Sequence, residues 1–357
     1  MIVSIFLRGG ADTLSLLVPH GDDAYYRARP SLAVPRPGSP EGVLDLDGFH
    51  GLHPKLAPLH RAWQTGRLAF VQAVGNDDTS GSHFVAQEQV ERGEEREKKL
   101  SGGWLARYLR AIGAPGPLSA IAIGERIPDA LRGAPAVAAM RKLDDLRLDP
   151  SANHRALAAL YADDPLLAAP AKATFDLLAR VDGIRGERSS APYPDGAFGA
   201  ALRDTARLVR ARVGLEVACI DLDGWDTHFV QRPLLASNAE TLAKGLAVFD
   251  EDLGDARDDV RVVVLTEFGR RTYENGSAGT DHGRGCAMMI LGSGIRGGKV
   301  HGTYPGLEEP AGPGPGGLQI TCDYRDVLAE VIAGAKHGAV VPSVFPDYTP
   351  KAIGLAA

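Results

Sequence analysis

Carboxylate and imidazole side chains recur in this sequence close to short apolar runs that are typical of buried strands. Asp226 and His228 follow one such run, and Glu267 follows another, with Asp281 and His282 further along the chain. In an extended segment, Asp-x-His places both side chains on the same side. Mixed nitrogen and oxygen donors of this kind suit Zn²⁺, Mn²⁺ or iron, and they suit Ca²⁺ poorly. We therefore predict that these five residues bind one or two divalent metal ions.

Each of these pairs has a plainer interpretation. Asp226 and His228 would also fit a loop carboxylate beside a solvent-facing histidine. The adjacent side chains of Asp281 and His282 diverge unless the backbone bends, and glycines at 279, 283 and 285 make such a bend cheap. Once bent, this pair could serve two metals, or one metal and one substrate oxygen.

Candidate residues also follow the first two predicted strands. Asp12 comes after a Gly-Gly pair, where the backbone can approach a ligand closely, and it is a further predicted metal ligand or else a turn or cap residue. Ser82 lies at a predicted helix N-terminus, whose partial positive charge favours an anion and an activated hydroxyl. We predict Ser82 and His83 as catalytic residues. The alternatives are a helix cap for Ser82 and a ligand or packing role for His83.

Arginine side chains supply the charge that an anionic substrate would need. Arg8 and Arg270 are predicted to bind a phosphate or sulfate group, because a guanidinium matches a tetrahedral anion in a two-pronged hydrogen bond. Ordinary surface arginines are the alternative. His53 and His301 are predicted to lie in turns or to support the site.

The elements that must position these residues alternate between strand and helix. Apolar runs of strand length and amphipathic segments follow one another, which indicates a mostly parallel sheet with helices on both faces. In such sheets, ligands bind outside the carboxyl ends of the strands. The predicted strands are 1–7, 68–74, 215–222, 260–266 and 286–291, and the predicted helices are 54–66, one starting near 82, 236–253 and 323–334.

The middle of the chain has a different character. Residues 104–215 are rich in Ala, Leu and Arg, with helical spacing at 151–181 and 197–213. The mixed charges of residues 91–99 are typical of a solvated loop or helix face. We therefore predict one domain over residues 1–357, with a mostly helical insertion or cap around residues 91–200.

Composition excludes several classes of protein. The 357 residues are 44% hydrophobic and carry a formal net charge of -6, which argues against nucleic acid or an anionic membrane as the main partner. The three cysteines are far apart and form no C-x-x-C pair, so they are predicted to be buried thiols. No membrane span or export signal is recognisable. We expect a soluble cytoplasmic protein, or an exported one whose signal is missing from this sequence.

Seven short motifs, taken together, resemble a known family. In this order and nearly along the whole chain, they are similar to the bacterial family called domain of unknown function 1501, a sulfatase-like branch of the alkaline phosphatase superfamily. The motifs are Leu7-Arg-Gly-Gly-Ala-Asp12, Gly51-Leu-His-Pro54, Ser82-His-Phe84, Gly224-Trp-Asp-Thr-His228, Thr266-Glu-Phe-Gly-Arg270, Thr280-Asp-His-Gly283 and Asp323-Tyr-Arg-Asp-Val327.

The resemblance implies an alkaline phosphatase-like fold, in which a large, mostly parallel sheet is sandwiched between helices. It implies Asp12 as the first-strand metal carboxylate, Ser82 as the nucleophile, and Asp226 with His228 as a middle ligand pair. Asp281 and His282 would correspond to the superfamily's Asp-His pair. The sulfatase signature Cys-x-x-Pro-x-Arg is absent around the cysteines, so a formylglycine nucleophile is not expected.

The leading functional hypothesis is therefore a metal-dependent hydrolase of small anionic phosphate or sulfate esters. Either Ser82 or a metal-bound water would be the nucleophile. A second hypothesis is a non-catalytic or partner-dependent protein on the same scaffold, since a fold does not dictate a function. A third is a metal enzyme with redox or group-transfer chemistry.

Overall fold

A central sheet organises the computed structural model of this chain. The structure describes residues 1–95, 99–114, 116, 118–146, 154–164, 166–185, 189–308 and 315–357. Its strands are β1 (Ile2–Leu7), β2 (Leu17–Val18), β3 (Leu44–Asp45), β4 (Gly51–Leu52), β5 (Leu68–Gly75), β6 (Ala120–Ile123), β7 (Ala138–Met140), β8 (Val217–Leu222), β9 (Arg261–Leu265), β10 (Cys286–Gly292), β11 (Lys299–His301) and β12 (Cys322–Asp323). Its helices are α1 (Asp23–Ala28), α2 (His60–Gln64), α3 (His83–Arg92), α4 (Trp104–Ala111), α5 (His154–Ala162), α6 (Ala168–Arg185), α7 (Ala197–Arg210), α8 (Gln231–Asp252), α9 (Tyr324–Ile332) and α10 (Val341–Val344).

Within the described residues, nine strands form this sheet in the order β11-β5-β10-β9-β1-β8-β6-β7, with β12 also paired to β5. Strand β1 is parallel to both β8 and β9, and β6 is parallel to β8 and β7. Strand β10 is antiparallel to both of its neighbours, β5 and β9. The carboxyl ends of β1, β5, β8 and β9 therefore share one edge with the amino end of β10.

Two hydrophobic cores cover the two faces of the sheet. Alternate side chains of β1 contribute to each, with Val3, Ile5 and Leu7 in one core and Ile2 and Phe6 in the other. Helices α7 and α8 contribute to the first core, whereas α4, α9 and α10 contribute to the second. Each fully buried Val or Ile contributes about 1.5–3 kcal/mol relative to an exposed one. The expected fold class, a large, mostly parallel sheet between helices, is confirmed.

The middle section differs from its prediction in one respect. The described part of residues 91–200 contains helices α4, α5 and α6, but β6 and β7 also lie there and extend the central sheet. These strands are short runs of Ala, Ile and Met, and a run of three or four apolar residues does not distinguish strand from buried helix. Residues 120–140 are thus partly sheet, and a mostly helical insertion or cap around residues 91–200 stays a prediction. Residues 147–153, where part of the predicted helix over 151–181 falls, lie outside the described residues.

Two helices begin or end at residues other than those predicted from the sequence. Residues 54–66 form a 3₁₀ segment, Pro54–Leu59, followed by the short helix α2. Pro58 lies inside this segment, and because proline has no N–H it cannot close an α-helical hydrogen bond there. Helix α8 begins at Gln231, five residues before its predicted start at 236.

The three cysteines are buried free thiols, as predicted, and lie in β8, β10 and β12. Burial raises the pKa of Cys286 and of Cys322 to about 12, so neither is a reactive thiolate near neutral pH. Within the described residues, the helices lack the length and apolar character needed to cross a bilayer.

Candidate metal centre

Four side chains converge at the carboxyl edge of the sheet. His83 is the first residue of α3, Asp226 and His228 follow β8, and His282 precedes β10. Ligand atoms of His83, Asp226 and His282 all lie within 4.8 Å of one another. The Nε2 atom of His228 is 2.9 Å from Nε2 of His282 and 3.1 Å from Oδ1 of Asp226. Sequence positions that are 199 residues apart, at 83 and 282, therefore form one cluster.

The antiparallel strand β10 explains how His282 reaches this edge. The chain leaves β9, forms a loop, and returns through a short antiparallel pairing in which Arg270 is bridged to His282. Backbone hydrogen bonds from Gly283 to Gly269 and from Gly269 to Arg284 hold this pairing. Because β10 runs against its neighbours, residues that precede it lie beside residues that follow β9.

Glycine permits the closest backbone approach in the centre. Gly9, which follows β1, has φ of +118°, and a Cβ atom there would lie 2.5 Å from the backbone nitrogen of Asp226. No side chain fits at that distance, and few tolerate that φ. The Gly-Gly pair thus brings the end of β1 against the segment that carries Asp226.

Each histidine ring is held through its Nδ1 atom. The Nδ1 of His83 is 2.8 Å from Oε1 of Glu267, and the Nδ1 of His228 is 3.1 Å from Oδ1 of Asp281. The Nδ1 of His282 is 2.8 Å from the carbonyl oxygen of Gly81. Carboxylate and carbonyl oxygens accept hydrogen bonds, so a neutral ring carries its proton on Nδ1 and leaves Nε2 with a free lone pair.

These tautomers match the requirements of a metal ion. The Nε2 atom of His83 is buried and has no hydrogen-bond partner within the described residues. In the same tautomers, the bare Nε2 atoms of His228 and His282 lie 2.9 Å apart and repel each other unless a cation lies near both. Metal-binding histidines usually donate their other nitrogen to a carboxylate or carbonyl, as all three do here. The residues present therefore fit a divalent metal.

Charge in the cluster also favours binding of a cation. Partial burial raises the pKa of Asp226, but the hydrogen bond and charge of Arg270 more than offset this, and the pKa lies below its ordinary value. Burial lowers the pKa of His282, and the neighbouring positive groups lower it further. Near neutral pH the cluster thus presents an ionised carboxylate and a neutral imidazole, the forms that bind metals.

Glu267 and Asp281, predicted as metal ligands, lie behind the histidines. Oε1 of Glu267 accepts hydrogen bonds from His83 Nδ1, from the backbone N–H of Gly9 at 2.9 Å and from Gln87 Nε2 at 2.8 Å. Burial raises the pKa of Glu267, but these hydrogen bonds lower it below its ordinary value. Both oxygens of Glu267 thus accept hydrogen bonds, which suits a residue that orients His83, and its ligand role stays a prediction. Asp281 orients His228 in the same way.

Asp12 lies outside the cluster. Its Oδ2 accepts hydrogen bonds from Arg29 Nη1 at 2.6 Å, Ser15 Oγ at 2.6 Å and Gln231 Nε2 at 2.5 Å, and both Asp12 and Arg29 are fully buried. Oδ2 of Asp12 thus belongs to an internal ion pair, and the expected ligand role stays a prediction. The carboxylate thus meets the guanidinium of Arg29, the residue that follows α1.

Arg8 and Arg270 are also committed to internal contacts. Nη2 of Arg8 lies 2.7 Å from Glu91 and 2.9 Å from Asp221. Arg270, only 1% exposed, donates to the carbonyl oxygens of Gly9, Gly10 and Thr280 and to Asp226. Both guanidinium groups thus have internal partners, and their anion-binding roles stay predictions. Glu91 is likewise buried, although the charge run 91–99 was predicted to face solvent.

Ser82 lies where the sequence predicts it, immediately before α3. Its side chain makes no capping hydrogen bond, and its backbone is extended with φ of −94°. Gly81, its neighbour, accepts the hydrogen bond from His282, and His83 follows it in the cluster. The hydroxyl is thus adjacent in sequence to two residues of the centre and is not used in capping.

Several contributors were not predicted from the sequence. Gln87 lies one turn after His83 on the same face of α3, so helical spacing would have found it. Gln231 joins Asp12 to Thr227 and Thr280, whose hydroxyls lie 3.0 and 2.7 Å from its Oε1. Arg29 carries no sequence signal, because an arginine at a helix end is ordinarily a surface residue.

Comparison with solved structures finds distant similarity over most of the chain. A proposed sulfatase from Bacteroides thetaiotaomicron is 11% identical, with a TM-score of 0.43 over 98% of this chain and 75% of that one. A 2-O GAG sulfatase is 9% identical, with a TM-score of 0.44 and the same coverage. The C-terminal periplasmic domain of EcEptC from Escherichia coli, in complex with Zn, is 10% identical, with a TM-score of 0.38 over 82% and 72%. All three are too distant to assign an activity.

No curated protein matches the sequence significantly. A family model does match, over residues 71–311, which is more than half of the chain, and it describes a protein of unknown function, DUF1501. The matched range contains Ser82, His83, Asp226, His228 and His282. With most of its length and the four residues of the candidate metal centre inside that match, this chain belongs to the DUF1501 family.

Proposed function

We propose that this protein is a metal-dependent hydrolase of phosphate or sulfate esters. The observation that carries the proposal is the convergence of three imidazole Nε2 atoms, from His83, His228 and His282, on the carboxylate of Asp226. Three imidazoles and one carboxylate are a typical donor set for zinc, and manganese and iron accept the same donors. A metal held there would polarise the ester and lower the pKa of a coordinated hydroxyl or water.

Ser82 is the proposed nucleophile, with a water molecule as the alternative. Its hydroxyl takes no part in capping α3, and it lies between Gly81 and His83. The first N–H groups of a helix have no partner within the helix, and their partial positive charge favours an anion. The start of α3 thus places a hydroxyl and anion-binding N–H groups beside the centre. His83, predicted as catalytic, is instead assigned to holding the metal.

Arg284 is the cation that we propose for the nonbridging oxygens of the ester. It lies two residues after His282, and its Nε is buried without a hydrogen-bond partner in the described part of the chain. Its Nη2 lies 3.5 Å from the carbonyl oxygen of Asn76, in the loop that leads to Ser82. Because the guanidinium of Arg284 has a free donor, we assign the anion-binding role to Arg284 and no longer to Arg8 and Arg270.

The experiment measures metal content by elemental mass spectrometry, together with hydrolysis of 4-nitrophenyl phosphate and 4-nitrophenyl sulfate. We expect His282→Ala to lose both metal and activity. Ser82→Ala should keep the metal and lose roughly a hundredfold or more in rate if the serine attacks. Arg284→Ala should keep the metal and raise KM. His60→Ala, on α2 and outside the cluster, is the control and should change nothing.

Metal-loaded wild-type protein that hydrolyses neither ester would contradict the proposal. A Ser82→Ala variant with full activity would assign the attack to water.

A non-catalytic, partner-dependent protein is the second candidate function. Large apolar side chains are exposed next to the centre, since Phe84 follows His83 and is 87% exposed, and Phe229 follows His228 and is 63% exposed. Exposed aromatic residues are enriched where proteins bind one another. This alternative predicts wild-type protein that binds no metal after supplementation with zinc, manganese or iron and that stays inactive on both esters.

A further inference from the structure

A cavity of about 340 Å³ lies where α8 begins. It shares no lining residue with the four-residue cluster. Its lining includes the buried apolar side chains of Leu32, Val34 and Leu235, together with the partly exposed Pro35 and Ala236. A volume of this size suits a small organic molecule.

One wall of the cavity is fixed by hydrogen bonds. Gln231, which lines it, is 2% exposed, and its amide group bonds Asp12, Thr227 and Thr280. Ser15, also in the lining, bonds Asp12. Because these polar groups are already satisfied inside the protein, they hold the shape of the cavity and do not require a ligand.

His53 differs from these groups, because it has a free donor. It lines the cavity and is 8% exposed. Its Nδ1 accepts the backbone N–H of Lys55 at 3.1 Å, so the neutral ring carries its proton on Nε2. Within the described residues, Nε2 makes no hydrogen bond. This nitrogen is accessible to solvent and belongs to a residue that lines the cavity, so it can donate a hydrogen bond to a ligand that enters.

Positive charge surrounds this donor. Burial lowers the pKa of His53 to about 4, and the charges of Lys55 and Arg232 lower it further, whereas Asp12 raises it. Arg232 donates one hydrogen bond to the carbonyl of Ser31, and Lys55 pairs with Glu240 at 3.0 Å. Glu41 is the acidic residue among the lining side chains, and it is exposed. The neutral histidine and two nearby cations favour an acceptor that carries negative charge.

We propose that this cavity binds a small carboxylate with an apolar body, as a ligand site separate from the metal centre. The carboxylate accepts from Nε2 of His53 and is attracted by Lys55 and Arg232. The apolar body packs against Leu32, Val34 and Leu235. Recognition therefore combines one hydrogen bond, a charge attraction and burial of a hydrocarbon group.

The test is titration of 4-phenylbutyrate into the full chain, followed by isothermal calorimetry and ligand-observed nuclear magnetic resonance. The neutral comparator is 4-phenyl-1-butanol, which keeps the apolar body and lacks the charge. We expect saturable binding of the acid with a Kd on the order of 1 mM, as for a fragment-sized ligand, and at least tenfold weaker binding of the alcohol.

The variants separate the cavity from nonspecific binding. His53→Phe keeps a ring but removes the donor, and Ala236→Trp adds a bulky side chain to the lining of the cavity. Both changes should weaken binding of the acid at least tenfold. His60→Phe, the same replacement outside the cavity, should bind like wild type. Thermal unfolding shows whether each variant is folded. If His53→Phe does not fold, binding of the acid to Ala236→Trp tests the proposal instead.

Binding that survives Ala236→Trp, or no saturable binding to wild type, would overturn the proposal. Equal binding of the alcohol would overturn the assigned carboxylate recognition. The readout is binding alone, so it does not depend on whether the protein hydrolyses esters.

Discussion

Replacing Glu267 with glutamine tests the metal centre through a residue that does not belong to the cluster. Oε1 of Glu267 accepts three hydrogen bonds, from the Nδ1 of His83, the backbone of Gly9 and the side chain of Gln87, at 2.8–2.9 Å. Glutamine has the same shape, and its oxygen can still accept these bonds. Its nitrogen can donate to Thr266, whose Oγ lies 3.0 Å from Oε2 of Glu267. The fold should therefore persist while the negative charge is lost.

The expected loss is a fall in metal affinity. Glu267 is 3% exposed, so water does little to screen its charge from the imidazole of His83. A carboxylate in this position makes the ring a stronger ligand, and removing such a partner typically weakens metal binding by roughly 10–100-fold. This corresponds to about 1.4–2.7 kcal/mol.

The assay is zinc titration against a competing chelator, for wild type and Glu267→Gln. Glu91→Gln is the matched control, because Glu91 is also buried at this edge but pairs with Arg8 and not with a histidine of the cluster. We expect the control to lose stability to urea and to keep wild-type zinc affinity.

Two results would refute the reasoning. Unchanged zinc affinity in a folded Glu267→Gln would show that the charge does not act on a metal through His83. An equal loss in Glu91→Gln would show that any buried charge at this edge affects binding, whether or not it contacts the cluster.

Two further predictions concern the buried ion pairs. Asp12→Asn should lower the free energy of unfolding by about 3–5 kcal/mol, because it leaves the charge of Arg29 buried and unpaired. Urea unfolding measures this loss. If the folded variant instead lost zinc, Asp12 would be a metal ligand. Burial raises the pKa of Asp250, but the hydrogen bonds and charges of Arg257 and Arg67 lower it below its ordinary value. The carboxylate therefore stabilises the fold above about pH 4, and this contribution is lost as the pH falls through the depressed value. Asp250→Asn should accordingly have a free energy of unfolding about 1–3 kcal/mol lower than that of wild type near neutral pH. Urea unfolding at acid pH should show a smaller difference between the two proteins. A difference that stays constant with pH would contradict this prediction.

The strands that carry the centre were predictable because their apolar runs are long and clear. Strand β9, Arg261–Leu265, lies within the predicted run 260–266, and β10, Cys286–Gly292, nearly matches 286–291. The rule that ligands bind at the carboxyl ends of strands then placed Asp226, His228 and His282 at one edge. Strands β6 and β7 were not predicted, because runs of three or four residues carry no clear period.

Residue types and local spacing thus indicated the fold class, the sheet edge that bears the site, and the donors that a metal would use. They could not separate ligands from the residues that orient them. Asp12, Glu267 and Asp281 have the same chemistry as Asp226, and only their partners in space distinguish them.

The division of roles arises from contacts between distant segments. Arg29 reaches Asp12 across 17 positions, and His83 reaches Glu267 across 184. Such contacts depend on how strands are ordered and on the reversed direction of β10, which follow from packing both faces of the sheet at once. Asp12 and Asp226 each pair with a guanidinium, but Asp226 also lies 3.1–3.5 Å from the Nε2 atoms of His83, His228 and His282. The packing therefore fixes which carboxylate lies among the imidazoles that a metal would use.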